Sequence, residues 1–162
     1  MSSPYESADL LLRLYELRRE PRMREARDWY ARHFHPDSVD DIKGAMGGPN
    51  SSHFRMVTSY WDMAASFVNH GAIDEKMFLD ANGEHVIVLS KIEPFLAEFR
   101  SFMGSPGYLA NLETLVMKQP DATERLASLR ERFRQMAAQP AQPAQPAQPA
   151  QPAQPAQPAK SR

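Results

Sequence analysis

Two histidines and an aspartate lie close together in the first quarter of the chain. His33, His35 and Asp37 form the pattern H-x-H-P-D, and imidazole and carboxylate groups are suitable ligands for zinc or iron. Side chains two residues apart do not share a helix face, so a metal would need a loop here. The other three histidines are scattered. We therefore interpret His33 and His35 as helix-end residues, with a weak metal or proton site as the alternative, and assign no metal ligand.

A second candidate combines charges that are distant in sequence. Asp62 follows Trp61, and Arg100 and Glu113 lie on later predicted helices, with Glu98 nearby. If Asp62, Arg100 and Glu113 met in a partly buried network, their pKa values would shift and a carboxylate could serve as acid or base. The same residues also suit ion pairs that fix helix register. We favour the structural interpretation, with ligand binding and catalysis as alternatives, and assign no catalytic residue.

Three further features have plainer interpretations. The stretch 47–52, GGPNSS, precedes a helix and resembles an anion site, but it lacks a P-loop lysine and G-x-G-x-x-G spacing. We interpret it as a connector. The arginines of residues 13–32 alternate with acids, which favours a solvated, salt-bridged face over a phosphate site. The nine methionines are interpreted mainly as fillers of core gaps.

The stretch 54–80 is expected to form the central helices against which the rest of the chain packs. Phe54, Val57, Trp61, Ala64 and Val68 recur at spacings of three and four, which predicts one buried helix face centred on Trp61. Gly71 is suited to the left-handed position that ends a helix. Asp74 is suited to cap the next one. The sequence therefore predicts two helices joined by a tight corner.

The same periodicity continues on both sides. Residues 84–103 include VIVL, which suits a strand, yet Val88, Ile92, Phe95, Phe99 and Phe102 keep a helical period, so we predict a helix that bends at Pro94. We expect an all-α bundle of about six or seven helices. The remaining predicted helices begin at Ser7, Pro21, Val39, Ser105–Pro106 and Asp121–Glu124.

Composition limits the class of protein. The chain has 162 residues and no cysteine, which rules out disulfides and thiolate metal sites. No apolar run approaches the ~20 residues that span a bilayer, and the start of the chain does not resemble a secretory signal. We expect a bacterial cytoplasmic protein with no membrane span. Residues 37–99 carry four bases and ten acids, and the overall balance does not suit a nucleic-acid partner.

The domain boundaries follow from the same patterns. Residues 1–6 are expected to be flexible and residues 7–138 to form the bundle. Residues 139–159 repeat Gln-Pro-Ala seven times, so 139–162 are predicted to be a disordered, low-complexity tail. The tail is either a spacer or polyproline ligand, or a neutral repeat expansion.

Part of the chain resembles a family. The stretch of roughly 54–116 is similar to a bacterial all-helical domain of unknown function. The resemblance is carried by Trp61-Asp62, Ala64-Ala65, Phe67-Val68, Gly71, Ile73-Asp74-Glu75, Phe78, Lys91-Ile92, Pro94-Phe95, Phe99-Arg100, Tyr108, Leu112-Glu113 and Leu115. It implies a helical bundle and no activity. Relatives often carry the domain after an N-terminal membrane helix; this chain departs in having none, and in Leu89, where an aromatic is expected.

These observations favour an interaction or scaffold module over an enzyme. The apolar grooves of the bundle and the acidic middle are expected to meet an unidentified protein partner. We expect no cofactor. The alternative is a weak metal-binding protein or an enzyme that uses His33, His35 and Asp37, or the network around Asp62.

Overall fold

A computed structural model describes residues 2–138. Over these residues the chain forms nine α-helices and one 3₁₀ turn, and every regular element is helical, which confirms the all-α prediction. The predicted Gln-Pro-Ala tail lies outside the described residues. The elements are α1 Pro4–Arg19, α2 Pro21–Arg32, α3 Val39–Gly47, α4 Ser51–Asn69, α5 Glu75–Ala81, α6 Glu84–Ile92, the 3₁₀ turn Glu93–Phe95, α7 Leu96–Met103, α8 Ala110–Met117 and α9 Ala122–Ala138.

Helix α4 lies at the centre of the bundle and packs mainly against α2 and α8. Its predicted stripe is buried, and Trp61 is fully enclosed. Ala64 and Ala65 are also fully buried, and their small side chains let neighbouring helices approach closely. Burial of one continuous apolar cluster that includes this stripe is the main source of stability.

The first helix begins earlier in the chain than predicted. Ser3, rather than Ser7, caps α1: its hydroxyl accepts from the Glu6 amide, and the Glu6 carboxylate accepts from the Ser3 amide in return. Ser7 is buried, and its hydroxyl accepts from the Asp74 amide at 3.1 Å. The predicted start of the helix at Ser7 is therefore wrong, because two reciprocal hydrogen bonds start α1 within the segment 1–6 that was expected to be flexible.

The corner between α4 and α5 matches its prediction. Gly71 has φ +71°, a conformation that costs an L-residue roughly 1 kcal/mol or more. The Asp74 carboxylate accepts from the Met77 amide at 2.8 Å and caps α5. The Ile73 side chain is buried, so the corner is held by both a cap and an apolar contact.

The second half of the bundle differs from expectation at two points. The predicted bend at Pro94 is present as the 3₁₀ turn. Phe102, which was predicted to lie in the apolar stripe, is instead largely exposed. Helix α8 begins at Ala110 rather than at Pro106, after Leu109, which has φ +54°. Division of 84–103 into separate helices raises the number above the six or seven expected.

Helix α9 packs against α6 and α8. Leu126 is fully buried there, and Arg134 reaches Asp37 at 3.0 Å. This packing secures the last described helix to the bundle. None of the helices within 2–138 is both long and apolar enough to cross a bilayer.

Candidate functional site

Asp62 holds the start of α8. Its Oδ1 atom accepts from the Leu112 amide at 2.9 Å, and its Oδ2 atom accepts from the Asn111 side chain at 3.3 Å. These bonds satisfy donors that the first turn of a helix leaves free. The carboxylate of α4 thus sets the position of α8, and its acceptor capacity is largely used in doing so.

Arg100 and Glu113 form the ion pair expected from the sequence. Their side chains meet at 2.8 Å, and Arg100 Nε also donates to the Tyr108 carbonyl at 2.9 Å. Arg100 and Asp62 therefore both hold the end of the 104–110 connection at which α8 begins. Glu98 is exposed on the surface. The arrangement favours the structural interpretation, since Asp62, Arg100 and Glu113 each bond to a partner in the fold.

The H-x-H-P-D segment lies at the end of α2. His33 is exposed and follows the last residue of the helix, and the His35 ring lies 3.1 Å from the Arg32 carbonyl. Burial, and then the charge of Lys91, lower the pKa of His35. Asp37 pairs with Arg134. Among residues 2–138, no group of three or more histidine, aspartate or glutamate side chains is placed to hold a metal ion.

Lys91 is a buried cation to which sequence reasoning assigned no role. Only 4% of the residue is exposed, and its ammonium donates to the carbonyls of Tyr30, Ala31 and Phe34 at 2.7, 3.0 and 2.8 Å. These carbonyls belong to the end of α2, where helices leave acceptors free. Burial lowers the pKa of Lys91 to about 8, whereas the three carbonyls favour the charged form. Lys91 therefore caps α2 from α6.

His85 is buried without a hydrogen-bond partner. It is 1% exposed, packs against the rings of Trp61 and Phe78, and neither ring nitrogen has a partner within the described residues. Burial, and to a smaller extent the charge of Arg125, lower the pKa of His85 to about 4. The imidazole of His85 is therefore uncharged near neutral pH, and no spacing in the sequence indicated a buried histidine here.

Most acids of the acidic middle of the chain have partners within the fold. Nine of the ten acids of residues 37–99 either cap a helix or bond to a basic or amide side chain. They are Asp37, Asp40, Asp41, Asp62, Asp74, Glu75, Asp80, Glu84 and Glu93. Six of them form ion pairs, which lowers the charge that this segment offers to a partner, whereas Asp41, Asp62 and Asp74 accept from neutral donors and keep their charge.

The methionines reveal a different surface. The first groove, of about 440 Å³, lies between α4 and the α1–α2 junction and is lined by Met23, Met56 and Met63, with Leu17, Glu20 and Tyr60. The second groove, of about 490 Å³, lies on the other side of α4 and includes Met46 and Met103. Ser59 lines both. We call the two grooves and this shared ridge the α4 surface.

Five of the nine methionines thus line the α4 surface. Met23 belongs to the core and Met46 and Met56 pack against it, as expected, whereas Met63 and Met103 are exposed and do not fill core gaps. Met23 alone among the five is buried. Met56, Ser59 and Met63 follow one another at spacings of three and four, on the face of α4 opposite Trp61. This second helical period is the feature of the sequence that indicates the α4 surface.

A second apolar face lies on α1. Tyr5, Ala8, Leu12 and Tyr15 also follow spacings of three and four, and Tyr5 is 83% exposed. The opposite side of α1 is anchored by buried Leu14, whose carbonyl accepts from the Tyr60 hydroxyl at 2.7 Å. Helix α1 therefore presents apolar side chains on both of its faces.

The fold and these contacts define an all-helical domain whose buried polar groups mainly fix helix ends and helix register. The chain belongs to the family described as a domain of unknown function (DUF4760), whose model matches residues 5–119. The match extends the resemblance predicted over 54–116 to include α1, α2 and α3. No curated protein and no solved structure matches the chain.

Proposed function

We propose that this domain is a protein-interaction module that binds its partner at the α4 surface. The observation that carries the proposal is the placement of five methionines in two grooves that flank one exposed helix ridge. Thioether side chains are flexible and polarizable, and they are over-represented on surfaces that accommodate apolar partner side chains. Burial of such side chains supplies most of the free energy of association.

Three features support this choice over the alternative. The carboxylates and arginines once considered for catalysis have packing partners, as Asp62 and Arg100 illustrate. Asp37 of the H-x-H-P-D segment is paired with Arg134. The grooves, by contrast, expose Met63 at 37% and Leu17 at 52% to water, which is an energetic cost that a partner would remove.

The folded unit in this proposal runs from α1 to the end of α9, and it ends near residue 138. The partner surface lies wholly within this unit. We place the protein in the cytoplasm, on the sequence reasoning given above.

Site-specific photo-crosslinking tests the proposal. A photoreactive amino acid replaces Ser59 on the ridge, and a matched variant carries it at Ser128, an exposed serine of α9. In cells of the source organism, illumination should produce a defined protein adduct from position 59 and none from position 128. Equal adducts from both positions, or none from position 59 in a folded protein, would contradict an interaction at the α4 surface.

A further inference from the structure

We propose that the occupant of the α4 surface is an amphipathic α-helix with acidic residues beside its apolar stripe, laid across α4 at Ser59. This inference rests on the proposed function and specifies the chemistry of the partner. It is carried by the shape of the surface and by one cation at its edge.

The shape favours a helix over other peptide conformations. The two grooves lie on opposite sides of α4, and Ser59 is the small residue on the ridge between them. A helix that crosses this ridge places side chains from successive turns on both sides, as in ridge-into-groove packing. Its anchors would contact Met56 and Met63 on one side and Met103 on the other.

Other recognition modes fit less well. Addition of a β-strand requires a sheet edge, and residues 2–138 form helices and turns without a strand. Polyproline recognition uses grooves lined by several aromatic rings, whereas each groove here contains a single tyrosine beside its methionines. An apolar stripe with anchors at positions i, i+4 and i+7 matches the surface better.

The acidic flank follows from Arg55. This residue lines the second groove, is exposed, and its guanidinium makes no hydrogen bond or ion pair within the described part of the chain. Asp62 lines the same groove, but both of its carboxylate oxygens bond to the start of α8 and it forms no ion pair with Arg55. Arg55 is therefore free to bind a partner carboxylate, and such charge-assisted hydrogen bonds are among the stronger polar contacts.

Two synthetic peptides of 18 residues provide the probes. Both carry leucines at helical spacing; one has four glutamates beside the stripe and the other has four lysines at the same positions. A third probe is a Gln-Pro-Ala repeat peptide. Each carries a fluorophore and is titrated with the full-length protein, with binding followed by fluorescence anisotropy at 0.05 and 0.15 M salt.

Three variants locate the contact. Met63→Glu places a charge in the first groove, and Met117→Glu makes the same change at a methionine of similar exposure, 42% against 37%, on α8. Arg55→Glu reverses the charge at the edge. Circular dichroism confirms that each variant is folded.

We expect the glutamate peptide to bind at least threefold more tightly than the lysine peptide. Met63→Glu should weaken binding at least tenfold and Met117→Glu less than twofold, and Arg55→Glu should reverse the preference between peptides. Equal effects of the two methionine variants, an unchanged preference in Arg55→Glu, or tighter binding of the Gln-Pro-Ala peptide would overturn the inference. If the Ser59 adduct still forms in such a case, the proposed function stands and the partner chemistry is different.

Discussion

Acid should destabilise this protein at a pH where its carboxylates are still charged, because of one histidine. His85 is enclosed by Trp61 and Phe78 and has no acceptor among the described residues. Its pKa is lowered to about 4 in the folded state, against ~6.5 for an unfolded chain. Between these values the unfolded state binds more protons, so the free energy of unfolding falls as the pH falls.

The magnitude follows from the two pKa values. Linkage with 4 and 6.5 gives a loss of about 2 kcal/mol between pH 7 and pH 5, and of about 3 kcal/mol by pH 4. Hydrogen bonds from the Ser3 amide and hydroxyl lower the pKa of Glu6, and the Ser38 hydroxyl does the same for Asp41. Their contribution is lost only as the pH falls through the carboxyl range, so the interval from pH 7 to 5 isolates histidine.

Urea unfolding followed by circular dichroism at pH 7, 6 and 5 measures this effect. The wild type should lose about 2 kcal/mol, whereas His85→Leu should lose much less over the same interval. His35→Ala is the control for the other histidine whose pKa burial lowers. A wild type with equal stability at pH 7 and pH 5, or a His85→Leu variant with the wild-type pH dependence, would refute the reasoning.

Two further predictions concern helix ends. Lys91→Met should lower the free energy of unfolding by about 2 kcal/mol, because three carbonyls at the end of α2 lose a charged donor. Lys76→Met, at an exposed surface pair, should leave it nearly unchanged, since solvent screens such pairs. Asp62→Ala should cost about 1–2 kcal/mol by removing the cap of α8, and hydrogen exchange should quicken at the Leu112 amide. Urea titrations check both stabilities, and equal losses for the two lysine variants would contradict the capping role of Lys91.

The sequence predicted the elements whose signals are local. The stripe around Trp61 depends on helical period, and the Gly71–Asp74 corner depends on a left-handed glycine followed by a cap. Both were confirmed because short-range geometry determines them. The start of α1 was misplaced because Ser3 and Ser7 are both plausible caps, and the reciprocal bond from Glu6 decides between them.

The candidate site was less predictable because it depends on contacts between distant residues. Asp62 caps a helix that begins 48 residues later in the chain, and Leu109 at positive φ precedes that helix. Nothing in the local sequence of 104–110 specifies a cap supplied by α4. Lys91 likewise finds its acceptors on α2, some 60 residues away.

The distribution of charge also indicates how the α4 surface would respond to salt. Since the net charge of the chain is only −1 and most acids of residues 37–99 form ion pairs, little long-range field remains to steer a partner, and association should proceed at the ordinary rate of ~10⁵–10⁷ M⁻¹s⁻¹. The affinity would then depend on burial of the methionine walls, which salt does not screen. Added salt should weaken only the electrostatic contribution that Arg55 makes to binding. The preference for an acidic helix would therefore weaken as salt rises, while binding itself persists.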